Sequence, residues 1–312
     1  MDHLERPYNP INEYYKKRFG EKVYKISVSV PGTCPNREGI RGMKPCNFCD
    51  EWGSAAFPEF REKELSKQIE SIKEVVRIRH RVHKFLLYFQ AYTNTFRKTQ
   101  VLKDHIEVGL KSEDICGIVV GTRPDCLSEN VVELLNHYAE RTAVFVELGV
   151  QSFDNGQLEW MRRGHSAEKS IWAIEKIRAQ CPKVNLGIHL IFGLPQETDS
   201  DLIKTAHTVN KLNIDNVKLH NLHVLTKTPL EQEYLRGDFK PLEREEYVRR
   251  VGLFLRHLDP KIYVHRLTAV ASRHDELVAP RWTTEKMRSY QFAIDYLKER
   301  QWEQGQEFSK QS

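Results

Sequence analysis

The sequence predicts an α/β fold: a partial (βα)6 parallel barrel followed by an α-rich C-terminal extension. Two observations lead to this prediction. Six short apolar or alternating segments recur within residues 23–240. Stretches with helical apolar spacing or helix-capping residues separate them. Because strands that alternate with helices pair in parallel, and right-handed crossovers curl the sheet, such a chain closes into a full or partial barrel.

The predicted strands are short and rich in β-branched or aliphatic residues. In chain order they are 23–30, 85–89, 115–120, 143–148, 186–192 and 217–225. Helices are predicted between them at about 59–80 and 99–110, after the capping serines Ser128 and Ser166, and after the capping-box pair Thr198 and Asp201.

Three segments are predicted along the chain. Residues 1–22 form an N-terminal extension, residues 23–240 the barrel, and residues 241–312 a helical extension packed on the barrel. Within the last segment we expect an amphipathic helix that ends near Leu258, a short strand at 261–267 and a final helix near 284–300.

Composition indicates an ordinary globular protein with a sizeable core, because 40% of the 312 residues are hydrophobic and 29% are charged. No run approaches the ~18 apolar residues of a membrane span, and the first residues lack the apolar segment of a secretory signal. We therefore predict a cytoplasmic protein without a membrane partner. In that reducing compartment, the six cysteines are expected to be thiols or metal ligands.

Basic residues are concentrated in residues 73–84, KEVVRIRHRVHK, although the formal net charge of the whole chain is only +5. A solvated basic helix end explains this run most simply. Contact with RNA phosphates is the alternative, and Arg281, Lys286 and Arg288 are compatible with it.

Three cysteines, Cys34, Cys46 and Cys49, fall in one loop rich in Gly, Pro and Asn. A structural zinc site takes four protein ligands and a disulfide takes two, so three thiolates leave one position of a metal centre open. Zinc completed by Asp50 or by a distant histidine stays an alternative. Cys116, Cys126 and Cys181 lie in or beside predicted core elements, where free buried thiols are common.

Unusual residues follow five of the predicted strands directly. They are the three loop cysteines, then residues 90–92, 121–125, 147–152 and 192–195. In parallel barrels, the loops at the carboxyl ends of the strands converge on the active site. We therefore expect these segments to line one cavity.

Several local motifs resemble the radical S-adenosylmethionine (SAM) enzymes. Phe48 precedes the last cysteine of a C-x11-C-x2-C loop, and the chain also contains TRPD (122–125), ELGVQS (147–152), RGH (163–165) and LIFGLP (190–195). The first cysteine gap is longer than the commonest family spacing but is similar to that of the Elongator catalytic subunit. The resemblance covers about residues 23–230 and is closest to small stand-alone bacterial members of that branch.

The resemblance implies a cofactor set and a reaction. Cys34, Cys46 and Cys49 would hold three irons of a 4Fe-4S cluster, leaving the fourth iron for the amino and carboxylate groups of SAM. Reductive cleavage of SAM would give methionine and a 5'-deoxyadenosyl radical. The electron would come from an external one-electron donor such as a flavodoxin or ferredoxin.

The resemblance also implies SAM contacts. Gln151 and Arg163 are spaced like a SAM-binding pair of the porphyrin-oxidising relatives, and Arg163 is the expected partner of the SAM carboxylate. Gln90 and Tyr92 bound a segment that replaces the family's Gly-Gly-Glu. The remaining candidates are Phe48, Glu147, as a ribose contact or as an ion-pair partner of Arg123, and His189, as a cavity or core histidine.

For the substrate, resemblance to the Elongator branch implies a wobble uridine of tRNA. Two alternatives stay open at this point. One is a radical SAM reaction on a small molecule or tetrapyrrole. The other is a nucleic-acid-binding module whose cysteine loop holds structural zinc.

Overall fold

The computed structural model describes residues 6–53, 63–271 and 273–308. Its main sheet is a half-barrel of seven parallel strands in the order β1-β2-β3-β4-β5-β6-β8. The strands are β1 (Val23–Val28), β2 (Lys84–Phe89), β3 (Ile115–Thr122), β4 (Ala143–Gln151), β5 (Asn185–Phe192), β6 (Asn216–Asn221) and β8 (Tyr263–Val264), and a separate antiparallel pair consists of β7 (Val224–Leu225) and β9 (Leu277–Ala279). The predicted α/β half-barrel with a helical extension is confirmed.

Ten helices are described in these ranges. They are α1 (Ile11–Phe19), α2 (Leu65–His80), α3 (Thr99–Leu110), α4 (Glu129–Ala139), α5 (Asn155–Trp160), α6 (Ala167–Gln180), α7 (Asp199–Lys211), α8 (Pro229–Leu235), α9 (Arg244–His257) and α10 (Lys286–Glu299). The serine caps are formed at α4 and α6, and the Thr198–Asp201 capping box is formed at α7. These side chains satisfy backbone N–H groups that the first helical turn leaves without partners.

Two strand predictions were wrong in extent. The predicted strand 217–225 is two strands, because Asn221 ends β6 by accepting a hydrogen bond from the backbone of Ala269 and donating one to His223, both at 2.8 Å. Of the predicted strand 261–267, only β8 forms, and it adds a seventh parallel strand beside β6. The predicted helix at 59–80 begins at Leu65 in the described residues, and residues 59–62 lie outside them.

The sheet has two apolar faces. The outer face packs against the helices; from β2 it contributes Phe85, Leu87 and Phe89. The inner face contributes Leu86 and Tyr88, which belong to a smaller core around α1. This alternation is the period-two geometry of a strand.

Helix α1 closes the amino end of the barrel interior. Its residues Tyr14 and Tyr15 pack edge-on against Phe145, with ring centroids 6.0 and 5.7 Å away. Backbone bonding from Val264 to Asn9, at 2.8 Å, ties this segment to β8. The interior is therefore covered at the strands' amino ends.

The C-terminal helices pack outside the barrel. Helix α9 lies against α7, and α10 lies against α9. Among the described helices, none combines the length and apolar character that crossing a membrane requires.

Candidate active site

A cavity of about 240 Å³ lies at the carboxyl ends of the barrel strands. All ten predicted site residues line it: Cys34, Cys46, Phe48, Cys49, Gln90, Tyr92, Glu147, Gln151, Arg163 and His189. The expectation that the strand-end segments meet at one cavity is met for the loop cysteines and for members of 90–92, 121–125 and 147–152, but not for 192–195, which is absent from the lining residues. Their individual roles stay predictions.

The cysteine loop is held in place by its own turns and by the segment after α5. Within the loop, the backbone N–H of Cys49 donates to the carbonyl of Cys46 at 3.2 Å. Asn47 donates through its backbone to Met161 at 3.2 Å and through its side chain to Trp160 at 2.9 Å. Asn36 donates to the carbonyl of Arg162 at 2.6 Å. The neighbours of two cysteines are therefore fixed to the segment that carries Arg163.

Two guanidinium groups face the loop sulfurs. Arg163 Nη1 lies 3.5 Å from Cys46 Sγ, and Arg37 Nη2 lies 3.7 Å from Cys49 Sγ. Among the described residues, the Nε atoms of both arginines are shielded from solvent and have no hydrogen-bond partner. Both arginines therefore bring positive charge to the sulfurs and keep an unused donor.

Burial raises the pKa of the Cys49 thiol to about 12, and the neighbouring Cys46 adds to this effect while Arg37 opposes it. A buried thiolate therefore needs additional positive charge, such as that of bound metal. In the described parts of the chain, no group of three or more His, Cys, Asp and Glu residues is arranged to hold a single metal ion.

The end of β4 is bent so that Gln151 and Arg163 meet. The register with β5 shifts between Leu148 and Gln151, and Gln151 has a left-handed backbone with φ of 70°. Arg163 Nη2 donates to the carbonyl of Gly149 at 2.9 Å. A Cβ at Gly149 would lie 2.8 Å from Gln151 Nε2 and 3.2 Å from Arg163 Nη2, so the ends of both side chains lie beside this glycine.

The segment after β2 braces the cysteine loop. Tyr92 adopts a left-handed backbone with φ of 59°, and its hydroxyl donates to the carbonyl of Glu51 at 3.0 Å. A Cβ at Gly53 would lie 2.3 Å from the Tyr92 ring, so the loop passes directly over this ring. Gln90 accepts a hydrogen bond from Ser27 at 3.1 Å, and Phe48 packs on the apolar cluster around Ile191.

Glu147 lies on the floor of the cavity and is 2% exposed. It forms an ion pair with Lys25, and its Oε2 accepts from Lys218 at 3.0 Å, Tyr88 at 2.6 Å and His189 at 2.8 Å. Burial raises the pKa of Glu147, but the charges of Lys218 and Lys25 outweigh it and hold this pKa well below the usual range.

The alternative that Glu147 pairs with Arg123 was wrong. Arg123 instead binds Asp125 through two hydrogen bonds of 2.9 Å and donates to the carbonyl of Arg163 at 2.6 Å. It therefore supports the cysteine-loop side of the cavity rather than its floor.

His189 lies at the cavity and is also bonded within the barrel, so both predicted interpretations describe part of its environment. Its ring is tilted against that of His220, with centroids 5.0 Å apart. Burial lowers the pKa of His189 to about 4 and that of His220 well below its ordinary value. Both rings are therefore neutral near pH 7.

Sequence reasoning missed several cavity residues. Lys218 and Tyr88 line the floor, and Lys25 supports it from β1. A signal was present in β6, where Lys218 and His220 alternate with the apolar Val217 and Leu219, as inward-facing polar residues do.

The basic run 73–84 lies at the opposite end of the sheet. It spans the second half of α2 and ends where β2 begins, whereas the cavity lies where the strands end. Lys73 is buried and pairs with Glu70 and Asp114 at 2.8 Å, and Arg77 also pairs with Asp114. These contacts favour a structural role for the inner part of the run.

The remaining three cysteines do not line this cavity. Cys116 donates to the carbonyl of Phe85 and Cys181 to that of Val132, both at 3.3 Å, and Cys126 is buried beside Asp125. All six cysteines have free sulfurs. Cys126 and Cys181 are buried free thiols, as expected, whereas Cys116 is only partly buried.

Comparison with protein families gives two matches that together cover most of the chain. Residues 28–209 match the model of the Radical SAM superfamily. Residues 214–299 match the Radical SAM C-terminal domain.

Individual proteins agree with these matches. The YtqA protein of Bacillus subtilis (strain 168) is 33% identical over 282 residues, which cover 90% of this chain and 87% of YtqA. The tRNA uridine(34) acetyltransferase of Methanocaldococcus infernus is 31% identical over 169 residues, which cover 53% of this chain and 30% of the acetyltransferase. A structure of Elp3 from the same archaeon aligns with a TM-score of 0.63 at 19% identity, covering 90% of this chain and 64% of that chain.

Proposed function

Because this chain belongs to the radical SAM superfamily and uses the family's 4Fe-4S cluster and SAM, we propose that it is a tRNA-modifying enzyme acting on a wobble uridine. In this proposal Cys34, Cys46 and Cys49 hold the cluster. When bound, the cluster and SAM supply a 5'-deoxyadenosyl radical that removes a hydrogen atom from the substrate. The chain itself has to hold the two cofactors, orient them and exclude water.

The placement of three cysteines and two cationic side chains around one cavity carries this proposal. Iron-sulfur clusters are held by thiolates, and their charge is balanced by hydrogen-bond donors near the sulfurs. Arg37 and Arg163 are such donors, and each keeps a buried Nε–H without a partner in the described residues. The donor set therefore fits an anionic cluster that presents one open iron.

Arg163 and Gln151 are the proposed SAM-binding side chains. Arg163 lies beside both the cysteine loop and Gln151. The carboxylate of a SAM molecule bound next to the cluster would therefore be close enough to accept hydrogen bonds from its guanidinium. Glu147 is already surrounded by four donors, so we propose that it positions Lys218 and His189 in addition to facing the cavity.

The proposal of tRNA as substrate is supported by similarity and by the surface beside the cysteine loop. The acetyltransferase that matches half of this chain is named for uridine 34 of tRNA. An open depression next to the cysteine loop is lined by Arg41, Phe96, Arg97 and Lys169. Cationic groups around an aromatic ring suit phosphates and a splayed base. A small molecule or tetrapyrrole is the second candidate substrate, and family membership removes the support for a zinc-stabilised binding module.

Anaerobic reconstitution tests the cluster assignment. We expect the wild-type chain to take up iron and labile sulfide and to produce 5'-deoxyadenosine from SAM when reduced, and we expect Cys46→Ala to lose this production. Cys116→Ala, which removes a sulfur remote from the cavity, is the matched control and should retain it. Normal 5'-deoxyadenosine production by Cys46→Ala would contradict the ligand assignment.

The substrate is tested separately. Nucleosides from total tRNA of cells with and without the gene can be compared by mass spectrometry. We expect a wobble-uridine derivative to change in abundance. An unchanged set of tRNA nucleosides would favour the small-molecule alternative.

A further inference from the structure

Positive charge exceeds negative charge on the floor of the cavity. Lys218 lines the floor, Lys25 lies against the lining residue Glu147 and Arg266 against the lining residue His220. Glu147 is the one carboxylate that the described residues place among these three cations. Tyr88 is neutral because burial raises its pKa well above the usual value. The neighbouring histidines are neutral as well, since burial lowers the pKa of His189, His220 and His265. Lys25 and Arg266 thus exceed the one carboxylate by one positive charge, and Lys218, whose pKa burial lowers to about 7, adds a second when it is protonated.

The carboxylate of Glu147 already contacts four donors and cannot neutralise further positive charge. It binds both lysines as well as Tyr88 and His189, and the two ammonium groups lie 4.8 and 4.9 Å from the centre of the Tyr88 ring. The ring face adds a weak attraction for both cations. The excess charge nevertheless persists among buried side chains, since Lys218, Glu147 and Tyr88 are all buried.

Arg266 provides the second observation. Its Nη2 donates to the ring of His220, which lines the cavity, at 2.7 Å. Its Nε is shielded from solvent and lacks a hydrogen-bond partner in the part of the chain that the structure describes. A buried guanidinium with an unused donor and a neutral partner is costly unless an anion compensates it.

We propose that the floor formed by Lys218 and His220, with Arg266 against His220, binds an anionic group, a carboxylate or a phosphate, on the part of the substrate that enters the barrel. The inference rests on the proposed function, because it assigns SAM to the cysteine-loop side of the cavity. There, the loop cysteines would hold the cluster and Arg163 would hold the carboxylate of SAM. The floor, which lies on β4 and β6, is left for the substrate.

An anion at this position would have two consequences. It would add a second negative charge beside Lys218, which shares Glu147 with Lys25, and would bring an acceptor close to Arg266 and its partner His220. It would also discriminate against uncharged analogues, since these would leave buried cations unpaired. Substrate selection would therefore depend on the floor and cofactor binding on the rim.

Anion binding by the reconstituted full-length chain tests the proposal. Acetate and inorganic phosphate are titrated at constant ionic strength with SAM present, and the unfolding temperature is followed. We expect at least one of the two anions to stabilise the wild type. Which anion binds more tightly then distinguishes a carboxylate from a phosphate. Lys218→Met should raise the apparent dissociation constant about tenfold or more, as expected for the loss of a charge-assisted hydrogen bond.

Anion binding is also measured for two further variants, one at the floor and one control. Arg266→Met should weaken the same anion if Lys218→Met fails to fold, and exposed Lys111→Met, the matched control, should bind it as the wild type does. The proposal is overturned if neither anion stabilises the wild type, if both floor variants respond normally, or if they weaken SAM itself. Failure of the wild type to cleave SAM reductively would instead contradict the proposed function, independently of anion binding.

Discussion

The two ends of the barrel differ in how their buried charges are paired and in where aromatic rings pack. At the carboxyl end, arginines face thiols and lysines outnumber the acids beside them. At the amino end, Lys73 and Arg77 share Asp114, and the rings of Tyr14 and Tyr15 fill the opening. Charged groups that are paired within the chain, such as Lys73 and Arg77, stabilise the fold. Arginines with a buried, unused Nε–H beside thiols mark the site, and variants at both ends can test this difference.

The largest expected effect is at the amino end. Tyr15→Ala removes a buried ring that packs against Phe145, and we expect the free energy of unfolding to fall by about 3–5 kcal/mol. Urea denaturation measures this change. Iron and sulfide content per folded molecule should stay at the wild-type level, because the cysteine loop is at the other end.

Tyr15→Phe is the matched control for this variant. The Tyr15 hydroxyl is buried and has no hydrogen-bond partner among the described residues, so its removal should not destabilise the chain. A loss of cluster binding in either variant without unfolding would show that the two ends are coupled, and would break the comparison.

At the carboxyl end, Arg163→Met removes a side chain whose buried Nε–H has no hydrogen-bond partner among the described residues. Loss of a charged hydrogen bond corresponds to about 1.5–3 kcal/mol, or roughly tenfold to a hundredfold. We expect 5'-deoxyadenosine production to fall by that factor while the free energy of unfolding changes little. Exposed Arg162→Met is the control next to it in sequence. Equal activity of the Arg163 and Arg162 variants would remove Arg163 from the site.

The excess positive charge of the cavity floor should make the free energy of unfolding depend on pH. Burial lowers the pKa of Lys218 to about 7, far below that of an unfolded lysine. Between these two values the unfolded chain binds more protons, so stability rises with pH and is lost as pH falls through 7. From pH 7 to 8.5 the wild type should gain about 1.5 kcal/mol relative to Lys218→Met. A flat difference would mean that the floor charge is compensated.

Much of this contrast follows from local sequence signals, and part of it does not. The strand and helix periodicity, the serine caps and the Thr198–Asp201 capping box are local features, and they predicted the half-barrel. The cysteine loop was also visible because its residues are adjacent in sequence. In contrast, the charged floor joins Lys25, Tyr88 and Lys218, which are far apart in sequence and lie on three different strands. No short sequence spacing predicts that they come together.

Two other features depended on tertiary contacts in the same way. Helix α1 was not predicted, although it closes the barrel through Tyr14 and Tyr15. The pairing of β7 with β9 needs a segment about fifty residues later in the chain, so residues 217–225 resembled one long strand. Long-range pairing of this kind overrides the propensity of a short segment.

Charge reversal at each end, which has the smallest expected effect, tests which end binds RNA. Arg41 and Arg97 line the depression beside the cysteine loop, whereas Arg79 and Arg81 are exposed at the amino end. Replacing Arg41 and Arg97 with Glu should weaken tRNA binding severalfold and lower the slope of log affinity against log salt by about two. The matched pair, Arg79 and Arg81 to Glu, should leave the slope nearly unchanged, because a base that enters the cavity arrives from the other end. A larger effect of the second pair would place the RNA along α2 and support the phosphate-contact hypothesis for residues 73–84.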